Sequence, residues 1–61
     1  MVRIFLISDR ENVIKQFGEL CKENSYEFHT CSDIKIIEEI LEAETFDIIL
    51  LDNEIGREMV F

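Results

Sequence analysis

Residues 46–52 read Phe46-Asp47-Ile48-Ile49-Leu50-Leu51-Asp52. The four consecutive aliphatic residues are typical of a strand inside a sheet, because a strand covered on both faces shows a continuous apolar run rather than alternation. Only Asp47 interrupts the run, so we expect both faces of this strand to be covered. Strands of this kind occur mainly in parallel sheets, whose crossover connections place helices on the faces. The segment therefore predicts an α/β fold.

Two more strands are predicted ahead of this segment. Residues 2–7 form a nearly continuous apolar run that Arg3 interrupts, and the β-branched residues of this run favour a buried strand. Residues 26–31 alternate, with aromatic and β-branched side chains among them, which also predicts a strand.

Two helices are predicted between the strands. Residues 11–23 repeat apolar side chains at helical spacing, and Gly18 lies where we expect this helix to pack closely on a neighbour. Ser32 or Asp33 is a suitable N-cap for a second helix. The side chains expected to face inward are Val13, Ile14, Phe17, Leu20 and Cys21 in the first helix and Ile34, Ile37, Ile40 and Leu41 in the second.

The predicted order is β-α-β-α-β, followed by a loop at residues 53–57 and the start of a third helix at residues 58–61. Such alternation gives a parallel sheet with right-handed crossovers. With the first strand in the centre, the strand order is 2-1-3 and the helices cover opposite faces, as in the first half of a doubly wound sheet. Residues 1–61 then form one small domain, which buries about 60% of the surface of its unfolded chain.

The composition limits the partners and the compartment. Six Lys and Arg against fourteen Asp and Glu give a formal net charge of -8, so nucleic acid and anionic membrane surfaces are poor partners. No apolar run approaches the ~20 residues of a membrane helix, and the apolar start is too short for a secretory signal. Two cysteines without such a signal are expected to be reduced thiols in a cytoplasm.

Acidic side chains are predicted at the ends of two neighbouring strands. The first strand ends in Ser8-Asp9 and the third ends in Asp52. In the order 2-1-3 these ends lie about 5 Å apart, in the crevice where parallel sheets bind their ligands. Converging carboxylates suit Mg²⁺, with Glu11 and Glu54 close by, and an aspartate in such a site can attack a phosphoryl donor. Alternatively, Asp9 caps the first helix and Asp52 is an ordinary loop residue.

The whole chain resembles the first half of the receiver domain of bacterial response regulators, which has a flavodoxin-like fold. The resemblance is carried by residues 3–9 (Arg-Ile-Phe-Leu-Ile-Ser-Asp), by residues 46–52 and by the spacing of 43 positions from Asp9 to Asp52. It implies that Asp52 accepts a phosphoryl group from a histidine kinase in a two-component phosphorelay. It also implies a Mg²⁺ site formed by Asp9, Asp52 and the backbone carbonyl of Glu54. We therefore expect a cytoplasmic regulatory domain of signal transduction rather than an enzyme.

The chain departs from the receiver pattern in three places. The acidic pair that ends the family's first strand is Ser8-Asp9 here, with Glu11 as a displaced candidate for the missing acid. The Pro-Gly pair of the next loop is Ile55-Gly56. A full receiver is about twice as long, and its later strands supply a hydroxyl residue and a lysine that these 61 residues lack. A second hypothesis is therefore a non-phosphorylated pseudo-receiver that serves as a dimerisation or protein-interaction domain.

The third strand is also expected to form an apolar edge of the sheet. Unpaired edges of this kind pair with other chains, and an apolar patch of this size marks an interaction surface. Three completions are open: the rest of a longer chain, a second copy of this chain in a homodimer, or a different protein.

Other candidates for a site are weaker. His29, Cys31 and Cys21 are soft metal ligands, but their spacing matches no zinc pattern. A dinucleotide site needs a glycine-rich turn after the first strand, whereas residues 8–12 read Ser-Asp-Arg-Glu-Asn. The acidic face of the second helix is expected to be solvated.

Overall fold

A computed structural model describes residues 1–52 of the chain. Within them the elements follow in the predicted order, and their bounds are β1 Arg3–Ile7, α1 Glu11–Glu23, β2 Glu27–Cys31, α2 Ile34–Ala43 and β3 Ile48–Leu51. The predicted loop at residues 53–57, the predicted helix start at residues 58–61 and the candidate ligand Glu54 lie outside the described residues. Neither of the two helices is long and apolar enough to span a membrane.

The three strands form one parallel sheet in the order β2-β1-β3, as the sequence predicted. At the carboxyl end of the sheet, Ile7 pairs with Cys31 on one side and with Leu51 on the other. The pairing extends one residue further, because the N–H of Ser8 donates to the carbonyl of Cys31 at 3.1 Å and the N–H of Asp52 donates to the carbonyl of Ile7 at 2.9 Å. Residues 8 and 52 are therefore held side by side.

The two helices lie on opposite faces of the sheet. Alternate residues of β1 point to opposite faces, and all four residues from Ile4 to Ile7 are buried. On the face of α1, Gly18 lies against Phe28, which pairs with Ile4 in the sheet. The face of α2 holds the main core cluster, which consists of Phe5, Ile7, Cys31 and Ile37 with Ile34, Ile40 and Phe46 packed against it.

The starts of the two helices differ. Asp33 is the N-cap of α2, and its side chain accepts a hydrogen bond from the N–H of Lys35 at 2.9 Å, which is the capping interaction expected of aspartate. The N-cap of α1 is Arg10, and no side chain caps it. The alternative that Asp9 caps α1 is therefore wrong. The N–H of Arg10 instead donates to the hydroxyl oxygen of Ser8 at 3.1 Å.

The expectation that both faces of the third strand are covered is wrong. In β3, Ile48, Ile49 and Leu51 are 44%, 51% and 50% exposed. The physical reason is that β3 is an edge strand of the described sheet, while the buried core centres on β1 and its contacts with β2 and the helices. Two further side chains expected to face inward, Leu20 and Leu41, are 50% and 39% exposed.

At the opposite end of the sheet, Arg3 ties three elements together. Its guanidinium forms ion pairs with Glu27 at the start of β2 and with Glu44 at the end of α2. It also donates to the carbonyl of Thr45 at 2.6 Å and lies 5.0 Å from the centre of the Phe46 ring. The hydrogen bond from Arg3 lowers the pKa of Glu27, and these two carboxylates raise the pKa of Arg3. This cluster fixes the ends of β1, β2 and α2 relative to one another.

Asp47, the polar residue that interrupts the apolar run of the third strand, also has a structural role. Its carboxylate accepts a hydrogen bond from the backbone N–H of Arg3 at 2.7 Å, and its own N–H donates to the carbonyl of Arg3 at 2.9 Å. The side chain therefore satisfies the first donor of β1 where the pairing of β1 with β3 begins.

Candidate functional site

The candidate site is the carboxylate of Asp52 at the carboxyl end of β3. Asp52 directly follows Leu51, the last residue of β3 that pairs with β1, and it lies beside the end of β1. Its side chain is only 1% exposed. Burial of a carboxylate is costly unless hydrogen bonds or opposite charges compensate for the lost water, so the partners of Asp52 define the chemistry of the site.

Two side chains from the β1–α1 connection supply those partners. The hydroxyl of Ser8 donates to Oδ2 of Asp52 at 2.8 Å, and Nε of Arg10 donates to the same oxygen at 2.8 Å. The N–H of Arg10 in turn donates to Oγ of Ser8. We call these three residues, Ser8, Arg10 and Asp52, the Asp52 network.

The Asp52 network joins a buried anion to a half-exposed cation. Ser8 is completely buried, whereas the side chain of Arg10 is 47% exposed. Hydrogen bonds that join two ionised groups are stronger than neutral ones, and here the guanidinium compensates for the burial of the carboxylate. Since water reaches Arg10, its guanidinium can move away from Asp52 at a lower cost in free energy than a buried cation could.

The two aspartates that the sequence placed together differ in exposure. Asp52 is buried in the network, while the neighbouring Asp9 is exposed, as is Glu11 in the first turn of α1. Sequence reasoning placed Ser8 beside Asp52 but assigned no role to its hydroxyl, and it missed Arg10 entirely. The available signal was the strand order, because in the order 2-1-3 the first residues after β1 lie nearest to Asp52.

The described arrangement does not fit a Mg²⁺ ion as it stands. Within residues 1–52 no group of three or more His, Cys, Asp or Glu side chains is close enough to hold a metal. Oδ2 of Asp52 accepts hydrogen bonds from both Ser8 and Arg10. A magnesium ion demands near-ideal octahedral geometry at about 2.0–2.1 Å from its ligands, and two donors on this oxygen oppose that approach.

The soft side chains of β2 have structural partners. Nε2 of His29 is 2.8 Å from a carboxylate oxygen of Glu27, and its ring packs edge-on against Phe46 with the centres 5.3 Å apart. Cys21 and Cys31 are buried free thiols. Cys31 belongs to the main core cluster, and Cys21 is the buried residue of α1.

In comparisons with known proteins, no protein-family model, no curated protein and no solved structure matches the chain. The fold and the site by themselves define a small α/β domain with a parallel sheet in the order 2-1-3. Its distinguishing feature is a buried aspartate, at the carboxyl end of an edge strand, held by a serine and an arginine.

Proposed function

We propose that the chain is a receiver-like regulatory module of two-component signal transduction, with a flavodoxin-like fold and with Asp52 as the phosphoacceptor. The observation that carries the proposal is the position of Asp52, buried at the carboxyl end of β3 and next to the end of β1. Ligands of parallel α/β sheets bind at this end, where neighbouring strands lead their connections to opposite faces. The resemblance of residues 3–9 and 46–52 to receivers points to the same residue.

The proposed chemistry is transfer of a phosphoryl group to a carboxylate. An oxygen of Asp52 attacks the phosphorus of a phosphohistidine on a kinase, the P–N bond breaks, and the leaving imidazole nitrogen keeps the electron pair and takes a proton. Asp52 needs both exposure and a free oxygen for this step. Its burial and its bonds to Ser8 and Arg10 mean that the Asp52 network has to open before a donor can approach.

Mg²⁺ remains part of the proposal only as an implication of the resemblance. Bound at Asp9, Asp52 and the carbonyl of Glu54, the ion would neutralise phosphoryl charge. Because the arrangement of Asp52 does not fit the ion, we derive no step through it.

A phosphorylation assay tests the function. The full chain is incubated with acetyl phosphate or phosphoramidate and with Mg²⁺, and intact-mass spectrometry measures the addition of one phosphoryl group. We expect an adduct that hydroxylamine removes, as for an acyl phosphate, and that is lost in Asp52→Asn. It should persist in Asp47→Asn, a control at the aspartate that directly precedes β3. If neither the wild type nor Arg10→Ala forms the adduct, Asp52 is not a phosphoacceptor.

The second candidate function is a non-phosphorylated pseudo-receiver that acts by homodimerisation. The exposed edge strand favours it, because Ile48, Ile49 and Leu51 present about half of their surface to solvent on both faces of β3. Two copies of such an edge, related by a two-fold axis, present the same patch to each other, and their β3 strands would pair in antiparallel fashion. Unpaired apolar edges favour association of this kind.

Light scattering over a concentration series tests the second candidate. We expect a dimer whose dissociation constant rises at least tenfold in Ile49→Lys, since a charge on a pairing strand opposes edge-to-edge association. Lys35→Glu on the exposed surface of α2 is the matched control for a change in charge and should leave the constant unchanged. A wild-type chain that is folded and monomeric at all concentrations would rule out this function.

A further inference from the structure

The Asp52 network contains a cation of its own. Nε of Arg10 lies 2.8 Å from Oδ2 of Asp52, at the end of the sheet where the sequence predicted a magnesium ion. Arg10 is the N-cap residue of α1, and its backbone N–H is also tied to the network through the hydroxyl of Ser8. Both the main chain and the side chain of this residue are thus directed to the site.

We propose that Arg10 is the resident counter-cation of Asp52 and that it excludes divalent cations from this carboxylate. The inference deepens the proposed function, on which it rests for its biological meaning, by naming the residue that controls access to the phosphoacceptor. It also accounts for the poor fit of the site to Mg²⁺: the chain supplies a guanidinium to an oxygen of the carboxylate that the ion would share.

The exclusion follows from geometry and charge. A divalent cation that bound Oδ2 would have to sit about 2 Å from it, close to a guanidinium nitrogen that is itself 2.8 Å from the same oxygen. Like charges at such a distance repel each other. Binding of a divalent cation at Oδ2 therefore requires Arg10 to swing into the water that already reaches about half of its side chain.

Ser8 also favours Arg10 over a divalent cation as the partner of Asp52. Ser8 stands where the resemblance places an acid that would bind the ion, and its hydroxyl donates to Oδ2 of Asp52 instead. Among these residues Asp52 alone then carries a negative charge, which the single positive charge of Arg10 balances. An acid at position 8 would add a second negative charge beside Asp52 and would favour a divalent cation.

A metal titration of the full chain tests the proposal. ¹⁵N-labelled protein is titrated with Mg²⁺, and separately with trace Mn²⁺, whose unpaired electrons broaden the amide signals of residues near the ion. We expect the affinity at Asp52 to rise about tenfold or more in both Arg10→Ala and Arg10→Gln, because the repulsion from the guanidinium is removed. Lys15→Ala removes the same charge from an exposed position of α1 and should leave the affinity unchanged.

The metal affinities of the Arg10 variants decide between support and rejection of the proposal. A gain in both Arg10 variants that disappears in the double variant Arg10→Gln with Asp52→Asn supports the proposal. Equal affinity in the wild type and both Arg10 variants, no binding in any of them, or an equal gain in Lys15→Ala overturns it. The spectra of each variant report whether it is folded, and Arg10→Gln keeps a polar side chain at the N-cap if Arg10→Ala does not fold.

The metal titration and the phosphorylation assay can reject their two hypotheses independently of each other. A gain in metal affinity without any phosphoryl adduct would retain Arg10 as the counter-cation and reject Asp52 as a phosphoacceptor. If the wild type forms the phosphoryl adduct but the Arg10 variants do not change the metal affinity, Asp52 is supported as the phosphoacceptor and the role of Arg10 as counter-cation is rejected.

Discussion

The substitution Ser8→Ala tests whether the Asp52 network stabilises the fold. It removes one oxygen that is completely buried and that makes two hydrogen bonds: it donates to Oδ2 of Asp52 at 2.8 Å and accepts from the N–H of Arg10 at 3.1 Å. The change creates almost no cavity, since serine and alanine differ by that single atom. The effect on stability therefore reports on the hydrogen bonds.

The expected loss is a large part of the total stability. A hydrogen bond to a charged group contributes about 1.5–3 kcal/mol. Because Arg10 still donates to the same oxygen of Asp52 in the variant, we expect about 2 kcal/mol, in the lower part of that range. A domain of 61 residues has a free energy of unfolding of roughly 3–9 kcal/mol. The corresponding fall in Tm is about 8–16 °C.

Urea denaturation followed by circular dichroism measures this loss, with Ser32→Ala as the matched control. Ser32 is exposed in the connection between β2 and α2, so its replacement should change the free energy of unfolding by less than about 0.5 kcal/mol. If Ser8→Ala is no more destabilising than Ser32→Ala, the bond between Ser8 and Asp52 contributes nothing and our account of the site is wrong.

Two further predictions concern the ends of the sheet and the α1 packing. Since Arg3 lowers the pKa of Glu27, their ion pair stabilises the fold above the ordinary glutamate value of 4.5 and this contribution is lost as the pH falls through the lowered value. The loss of unfolding free energy caused by Arg3→Met should therefore be constant above pH 4.5 and shrink below it; a difference that grows on acidification would contradict the assignment. Gly18→Ala should raise the free energy of unfolding by up to about 1 kcal/mol, because its new methyl group would lie 3.5 Å from the Phe28 ring, an ordinary contact, within a regular helix. A lower Tm for Gly18→Ala than for the wild type would show that α1 has no room there.

The close approach of Gly18 to a neighbour illustrates what a pattern predicts and what it leaves open. The sequence indicated that α1 packs closely at this glycine, and the structure places Phe28 of β2 there. The distance nevertheless leaves room for a methyl group, so glycine is not required by the packing. A single residue in a helical pattern carries no information on the distance to a side chain ten positions away.

The order of elements, the parallel strand order 2-1-3 and the place of Asp52 at a strand end were determined by the sequence alone. These features depend on short-range periodicity and on general rules of chain topology, which act on any sequence with this alternation. The N-cap of α2 was narrowed to two residues for the same reason, because the capping hydrogen bond joins Asp33 to a residue only two positions away.

The tertiary structure alone decided which groups meet Asp52 and how far the faces of β3 are covered. Ser8 and Arg10 lie 44 and 42 positions from Asp52, and either Asp9 or Arg10 can reach the end of β3 from the same connection. The choice is made by the register of β1 and β3, which puts Ser8 opposite Asp52, and by the need of a buried carboxylate for a positive partner. The sequence predicted an apolar edge at β3 but also predicted that both of its faces are covered. Tertiary packing decided that these faces are about half exposed, because an apolar run has the same pattern whether its neighbours cover it or not.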